Sequence, residues 1–240
     1  MVNLVSTVIP SSGFEAFVSE IECCTLPAFN LMSELADRDV KYVFFSSGGA
    51  VYRQPDVDLE LVSEQCICQP VCLYGYSKWM FEQYIDLHAR IKSLKYLIVR
   101  PSNPYGPHQN PMRIQGFIAV VMHKLIYGHD IEIWSDGSVV RDHIFVADMA
   151  NAFVALLVRD VWGEVFNIGR GTGSSLLELV CVMEQVTGGK ATVIKIDSRS
   201  VDVSRIVFDV QKLKIATGFN ARSLAEDIKL YYEVLIYVSV

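Results

Sequence analysis

Two residues set the chemical question in this chain. Tyr74 and Lys78 stand in the stretch Leu73-Tyr74-Gly75-Tyr76-Ser77-Lys78. Residues four apart on a helix share a face, and residues two apart do not. Tyr74 and Lys78 are four apart, whereas Tyr76 and Lys78 are two apart. On a helix the Tyr74 phenol therefore stays near the Lys78 ammonium while Tyr76 points elsewhere. A nearby cation favours the phenolate and lowers the pKa of a tyrosine. Tyr74 is thus a candidate general base and Lys78 the residue that tunes it. The same spacing also arises by chance on surface helices, so the neighbouring segments decide.

Those segments alternate between strand and helix. Val2 to Val8, Lys41 to Phe45 and Lys95 to Arg100 are short runs of mainly apolar residues, as in buried parallel strands. Phe29, Leu31, Met32 and Leu35 fit one helical face, and a second helix runs from Tyr74 to about Arg90. The expected fold is α/β, an incomplete Rossmann-type parallel sheet with a small mixed α/β lobe. In the second half, helices are expected over 117–127, 146–158, from Leu176 and over 224–235, with strands over 131–134, 164–168 and 191–196. Ser174 or Ser175 caps the helix that Leu176 opens, with Glu178 in its first turn and Gly188-Gly189 at its end.

The polar residues cluster where these strands end. VFFSSGGAVY leaves one strand at Ser46-Ser47-Gly48-Gly49, and LIVRPSNPYGP leaves another at Arg100, Pro101 and Asn103. Open α/β sheets bind ligands at the carboxyl ends of their strands. These stretches, followed in order by WSDGSVVRDHIFVADMANA, FNIGRGTGSSLLELV and SRSVDVSRIVFD, resemble the extended short-chain dehydrogenase/reductase family. Within it, the likeness is to nucleotide-sugar epimerases of the UDP-glucose 4-epimerase type.

The resemblance implies an NAD-dependent isomerase with a UDP-hexose substrate, in the cytoplasm. It casts Tyr74 as the catalytic base and Lys78 as the residue that holds the cofactor and lowers the tyrosine pKa. Ser47 is the candidate partner of the reacting hydroxyl, although the matching register falls on Gly48 and Ser47 comes one residue early. Successive strand residues face opposite ways, so Ser47 reaches the site only where the glycines bend the chain. Ser46 and Pro101 join Tyr74 and Lys78 on the cofactor side. Asn103, Arg141 and Arg199 match residues that hold the diphosphate, and Asp202 matches one near the nucleotide ribose. Arginine suits phosphate because its planar fork binds two oxygens at once. Gly49-Ala50 stands where a 4,6-dehydratase has an Asp-Glu pair, which favours epimerisation. Asp142 and Asp148 are read as supports for local structure. The implied organisation is a partial NAD-binding unit over 1–110 with contributions from 140–170, and a mainly substrate-binding unit over 111–240. Family members pair through the helix carrying the tyrosine, so a homodimer is expected, and the stripe Trp79, Phe81, Tyr84 and Leu87 suits either that contact or core packing.

There are departures too. No glycine-rich G-x-x-G-x-x-G turn opens a helix here, and Val2 to Ser6 resembles the family's fourth strand, as though the first two βα units were missing. Cys24 stands where the family helix has an asparagine, and Arg53 where it has a glycine. Three readings follow: an active epimerase, a catalytically inactive relative that still binds a sugar nucleotide or a partner, and another reductase or dehydratase of the same family. Arg141 with Arg199 favours a diphosphate-bearing substrate over a simpler one.

Bulk composition frames these readings. The 240 residues are 51% hydrophobic and 20% charged, enough for a substantial core. The formal net charge of −6 gives no electrostatic reason for a nucleic-acid or anionic-membrane partner. The most apolar stretch, GFIAVVMHKLIYG, is interrupted by His123 and Lys124, so no membrane span is expected. Cys66, Cys68 and Cys72 lack usual zinc spacing and a nearby fourth ligand, and are read as reduced thiols rather than a metal site.

Overall fold

Tyr42–Phe45 is a run of aromatic and β-branched residues with both faces covered, which is why it sits inside a sheet. It is β2 of a four-stranded parallel sheet whose other members are β1 (Val2–Asn3), β3 (Tyr96–Pro101) and β7 (Glu164–Ile168). Their order is β1-β2-β3-β7. The computed structural model describes residues 1–38, 40–53, 61–112, 115–134, 136–196 and 205–238.

The faces of the sheet are packed by different helices. Tyr42 and Phe44 point to one side, where Met32, Phe81 and Ile85 of α2 (Leu26–Ala36) and α4 (Leu73–Lys92) cover them. Val43 points to the other, where Ala152, Leu156 and Leu213 of α6 (Val146–Val158) and α8 (Gln211–Thr217) close the core. This alternation along one strand is the period-two pleat at work. A helix α1 (Phe14–Glu20) runs into α2 through one π-helical stretch, Ile21–Thr25.

β1 is much shorter than the Val2-to-Val8 run expected from composition. Asn3 ends it: its Oδ1 accepts the Val5 N–H at 3.0 Å and its Nδ2 donates to the Tyr42 hydroxyl at 2.9 Å. The side chain thus turns the backbone away after two paired residues. Beyond the turn Leu4 and Val5 are each 64% exposed, so this edge of the sheet is apolar and uncovered.

A second region packs around α5 (Phe117–Tyr127), α7 (Leu176–Thr187) and α9 (Leu224–Val238). Their apolar faces enclose Ile118, Met122, Leu179, Met183 and Ile228, with Ile131 and Ile133 of β5 (Ile131–Trp134) against them. β5 pairs in parallel with β9 (Val193–Ile196). Between the two regions, β6 (Val140–Phe145) pairs with β4 (Asn103–Tyr105), β8 (Gly173–Ser175) and β10 (Arg205–Ile206). α7 starts with the expected capping box, Ser175 and Glu178 each bonding the other's backbone N–H, and closes on Gly188 with φ of 70°.

Candidate active site

Ser46 directly follows β2, its N–H donating to the Val99 carbonyl at 2.9 Å. The next four residues, Gly48–Val51, form a short helical turn, α3. Ser47 precedes it with an extended backbone, and its carbonyl accepts the N–H groups of Ala50 and Val51. Two contacts require glycine here. A Cβ at Gly48 would lie 2.0 Å from the Phe208 ring, and one at Gly75 would lie 2.1 Å from the Ala50 carbonyl oxygen. The missing side chains therefore let Phe208 pack against the turn and α4 settle directly on α3.

Ser47 lies close enough to the Tyr74 side chain to favour its ionised form. Tyr76, two residues on, is 47% exposed and packs instead near Phe17 and Trp79. The start of α4 is held by Cys72, whose Sγ accepts the Gly75 N–H at 3.5 Å. The Cys66, Cys68 and Cys72 thiols thus have packing and capping surroundings, and no cluster of three or more His, Cys, Asp or Glu suits a metal ion among the described residues.

Lys78 is only 6% exposed. Its ammonium donates to the Phe45 carbonyl at 3.2 Å and lies 5.1 Å from the centre of the Phe44 ring and 5.9 Å from that of Tyr74. Desolvation pulls its pKa down to about 8, with Glu20 and Cys24 opposing that shift. The tyrosine shows the opposite of the expectation from spacing. Burial raises the Tyr74 pKa, and Ser47 only partly offsets it. The ammonium lies over the ring and donates to a backbone carbonyl, and desolvation of the phenol decides the sign of the shift.

Asn103 and Arg141 come together through strand pairing. Asn103 is opposite His143 in the β4–β6 ladder, and Arg141 lies two residues before His143. All three therefore project from one face. The Asn103 Oδ1 also borders the turn, 3.7 Å from where a Cβ of Gly49 would stand. The Arg141 guanidinium donates to the Val140 carbonyl at 3.0 Å. Arg199 and Asp202 lie outside the described residues. Pro101 ends β3, paired with Ile168. Ser46 is buried and its hydroxyl has no hydrogen-bond partner among the described residues.

Several charged groups near the strand ends are structural. Arg100 makes a buried two-point contact with Glu82, Nε–Oε1 at 3.0 Å and Nη2–Oε2 at 2.5 Å. Its Nη1 donates to the Tyr52 hydroxyl, which donates to the Asn167 Oδ1. Asp142 accepts the N–H groups of Arg170, Gly171 and Phe208, and Asp148 pairs with Arg222. The stripe expected along α4 is divided: Phe81 packs on Tyr42 and Phe44, Tyr84 stacks on Phe29, and Leu87 is 43% exposed. Spacing did not reveal Glu20 or Asn3 beside Lys78, because both come from elements distant in sequence.

Comparison with known proteins decides the family. The model of the NAD dependent epimerase/dehydratase family matches residues 20–169. The chain belongs to this family. A putative UDP-glucose 4-epimerase from Methanocaldococcus jannaschii is 34% identical over 205 residues, covering 85% of this chain and 66% of that protein. Thus the chain spans about two thirds, or less, of the curated relatives it matches. The crystal structure of the Thermotoga maritima UDP-glucose 4-epimerase with UDP-glucose superposes with a TM-score of 0.92 at 28% identity, covering 100% of this chain and 77% of that one. The Thermus thermophilus UDP-glucose 4-epimerase, in complex with NAD, gives 0.86 at 27% identity, covering 97% and 76%. Among the described residues, no helix of this family member is long and apolar enough to cross a membrane.

Proposed function

We propose that the chain carries the reaction centre and part of the sugar-nucleotide site of an NAD-dependent UDP-hexose 4-epimerase. The observation that carries this reading is the buried Lys78, whose ammonium lies 5.9 Å from the centre of the Tyr74 ring near the strand end that carries Ser47. In that reading Tyr74, assisted by Ser47, takes the proton of the sugar 4-hydroxyl, and the oxidation to a transient 4-keto sugar would be completed only by loss of the C4 hydride to bound NAD. Burial raises the Tyr74 pKa, which suits return of the proton when the 4-keto group is reduced and opposes the base role in the forward step. Asn103 and Arg141 share a face from which they hold the diphosphate, with Arg199 and Asp202 as the proposed remainder of that grip. Residues 1–110, with 140–170, form the cofactor side of this proposal, and 111–240 mainly the substrate side.

The residues present fit the cofactor at one end. Ser46 offers a buried, unpartnered hydroxyl, and Lys78 an ammonium beside the tyrosine. Tyr74, Lys78, Ser46 and Pro101 would hold NAD, which supplies hydride acceptance and return at the sugar C4. The proposal extends to a cytoplasmic homodimer. Leu26, Leu31, Leu87 and Ile91 on α2 and α4 are 43–63% exposed, an apolar surface on the helix pair that includes the tyrosine-bearing helix. A monomer by light scattering removes the dimer from the proposal.

The test is calorimetric titration with UDP-glucose and with NAD⁺, followed by assay of UDP-glucose to UDP-galactose interconversion. Binding of both with turnover, reduced on the order of 10²–10⁴-fold in Tyr74→Phe, supports the epimerase. Binding of the UDP-sugar alone, lost in Arg141→Ala, leaves a sugar-nucleotide binder. Binding of neither overturns the proposal.

A further inference from the structure

The buried Lys78 shares its pocket with a carboxylate that neither motif nor spacing announces. Glu20, the last residue of α1, is 4% exposed. It lines one pocket with Asn3, Cys24, Phe44, Ser77 and Lys78. One of its oxygens, Oε2, is fixed by Thr7, which donates from its backbone N–H at 2.7 Å and from its hydroxyl at 2.5 Å. A buried carboxylate without a cation is costly, and so is a buried ammonium without an anion. Here the two face one cavity from different elements.

We infer that Glu20 is a positioning residue that acts through Lys78, holding the ammonium charged and in place beside Tyr74. The inference deepens the proposed reaction and rests on it for its purpose, but its physical content concerns these side chains alone.

Among the described residues, the charged, titratable and carbonyl groups facing Lys78 are few. Glu20 comes from α1, Cys24 from the π-helical stretch, and Tyr74 from α4 itself; β1 and β2 contribute Asn3, Phe44 and the Phe45 carbonyl. Of these only Glu20 carries a full negative charge at neutral pH. Burial raises the Cys24 thiol and the Tyr74 phenol, keeping both neutral. Hydrogen bonds from Thr7, Ser6 and Cys24 hold Glu20 below the ordinary carboxylate range against the desolvation that would raise it. The same carboxylate opposes ionisation of Tyr74 directly, so its useful effect passes through the lysine.

The experiment is an NMR pH titration of the intact chain with ε-¹³C-labelled lysine, the Lys78 signal being assigned from Lys78→Met. Neither cofactor nor substrate is needed, so failure of this inference and failure of the epimerase reading are read separately. The wild-type Lys78 midpoint is expected at about 8. Glu20→Gln keeps an acceptor for Thr7 and removes the charge; the midpoint should fall by on the order of one pH unit. Thr7→Val disturbs the same corner but keeps the carboxylate, and should lower the midpoint far less. An unchanged midpoint in Glu20→Gln, or an equal fall in Thr7→Val, overturns the inference. Should Glu20→Gln fail to fold, Lys78→Met tests the coupling from the other side. Its melting temperature relative to wild type should drop between pH 4 and pH 7 as Glu20 ionises without its counter-charge; a flat difference overturns the inference.

Discussion

Gly75 of α4 rests on the backbone of Ala50 in α3, so closely that a Cβ added to it would stand 2.1 Å from the Ala50 carbonyl oxygen. The glycine between the two tyrosines of the motif is thus the point where the tyrosine-bearing helix docks on the serine-bearing turn. Ser47 precedes α3 and Tyr74 precedes Gly75, so this close approach joins the two segments that carry these hydroxyls.

Gly75→Ala is therefore expected to be destabilising beyond its gain in helix propensity. The obstructing atom is backbone, which does not rotate away, and overpacking of this kind costs about 1–3 kcal/mol. Gly13→Ala is the control, because a Cβ there meets nothing within 4 Å. Urea denaturation of both variants checks this; equal stabilities would contradict the close approach.

A second prediction concerns the buried pair Arg100 and Glu82, whose side chains are 7% and 3% exposed. Removing one member leaves the other as an uncompensated buried charge, at a cost of about 3–5 kcal/mol. Glu82→Gln and Arg100→Met should each be strongly destabilising. The double variant Glu82→Leu with Arg100→Met should recover a large part of the loss. Additive losses in a double-mutant cycle would argue that the two do not act as a pair.

Much of the core was legible because its residues obey simple periods. The strands at Tyr42, Tyr96 and Glu164 and the helices opened by Leu73, Phe117, Val146 and Leu176 show sustained apolar patterns with recognisable ends. Ser175 and Gly188 announced a cap at each end of one helix. What stayed hidden depends on tertiary contact. β6 and β8 form a ladder from segments that look like loop, since the Val140–Ser175 register is set by pairing rather than propensity. β1 stops after Asn3 because of a side-chain turn that hydropathy does not report. The Tyr74–Lys78 spacing was legible, but the sign of the tyrosine's pKa shift was not, because desolvation depends on everything packed around it.

The capping box offers a local test of this legibility. Ser175→Ala removes the acceptor for the Glu178 N–H at 3.2 Å. The expected loss is about 1 kcal/mol, since the freed donor at an exposed helix end turns to water. Thermal melts of Ser175→Ala and Ser175→Asp separate the two cases: the aspartate should retain most of the stability.

The last prediction follows from His143, which is 6% exposed and leaves its Nδ1 without a partner among the described residues. Desolvation pushes its pKa down to about 4, the Arg170 and Arg141 charges adding to the shift and a backbone bond at Arg141 opposing it. In the unfolded chain the ring titrates near 6.5. Between these values the unfolded state binds a proton that the folded state refuses. Stability must then fall as pH drops from about 6.5 towards 4 and level off below, by about 3 kcal/mol for this group. His143→Phe removes the titration while keeping a buried ring. The difference in unfolding free energy between wild type and His143→Phe should therefore shift against the wild type across that window. Urea unfolding at half-unit pH intervals measures it, and a difference independent of pH would mean that the folded protein accepts the proton as readily as the unfolded chain does.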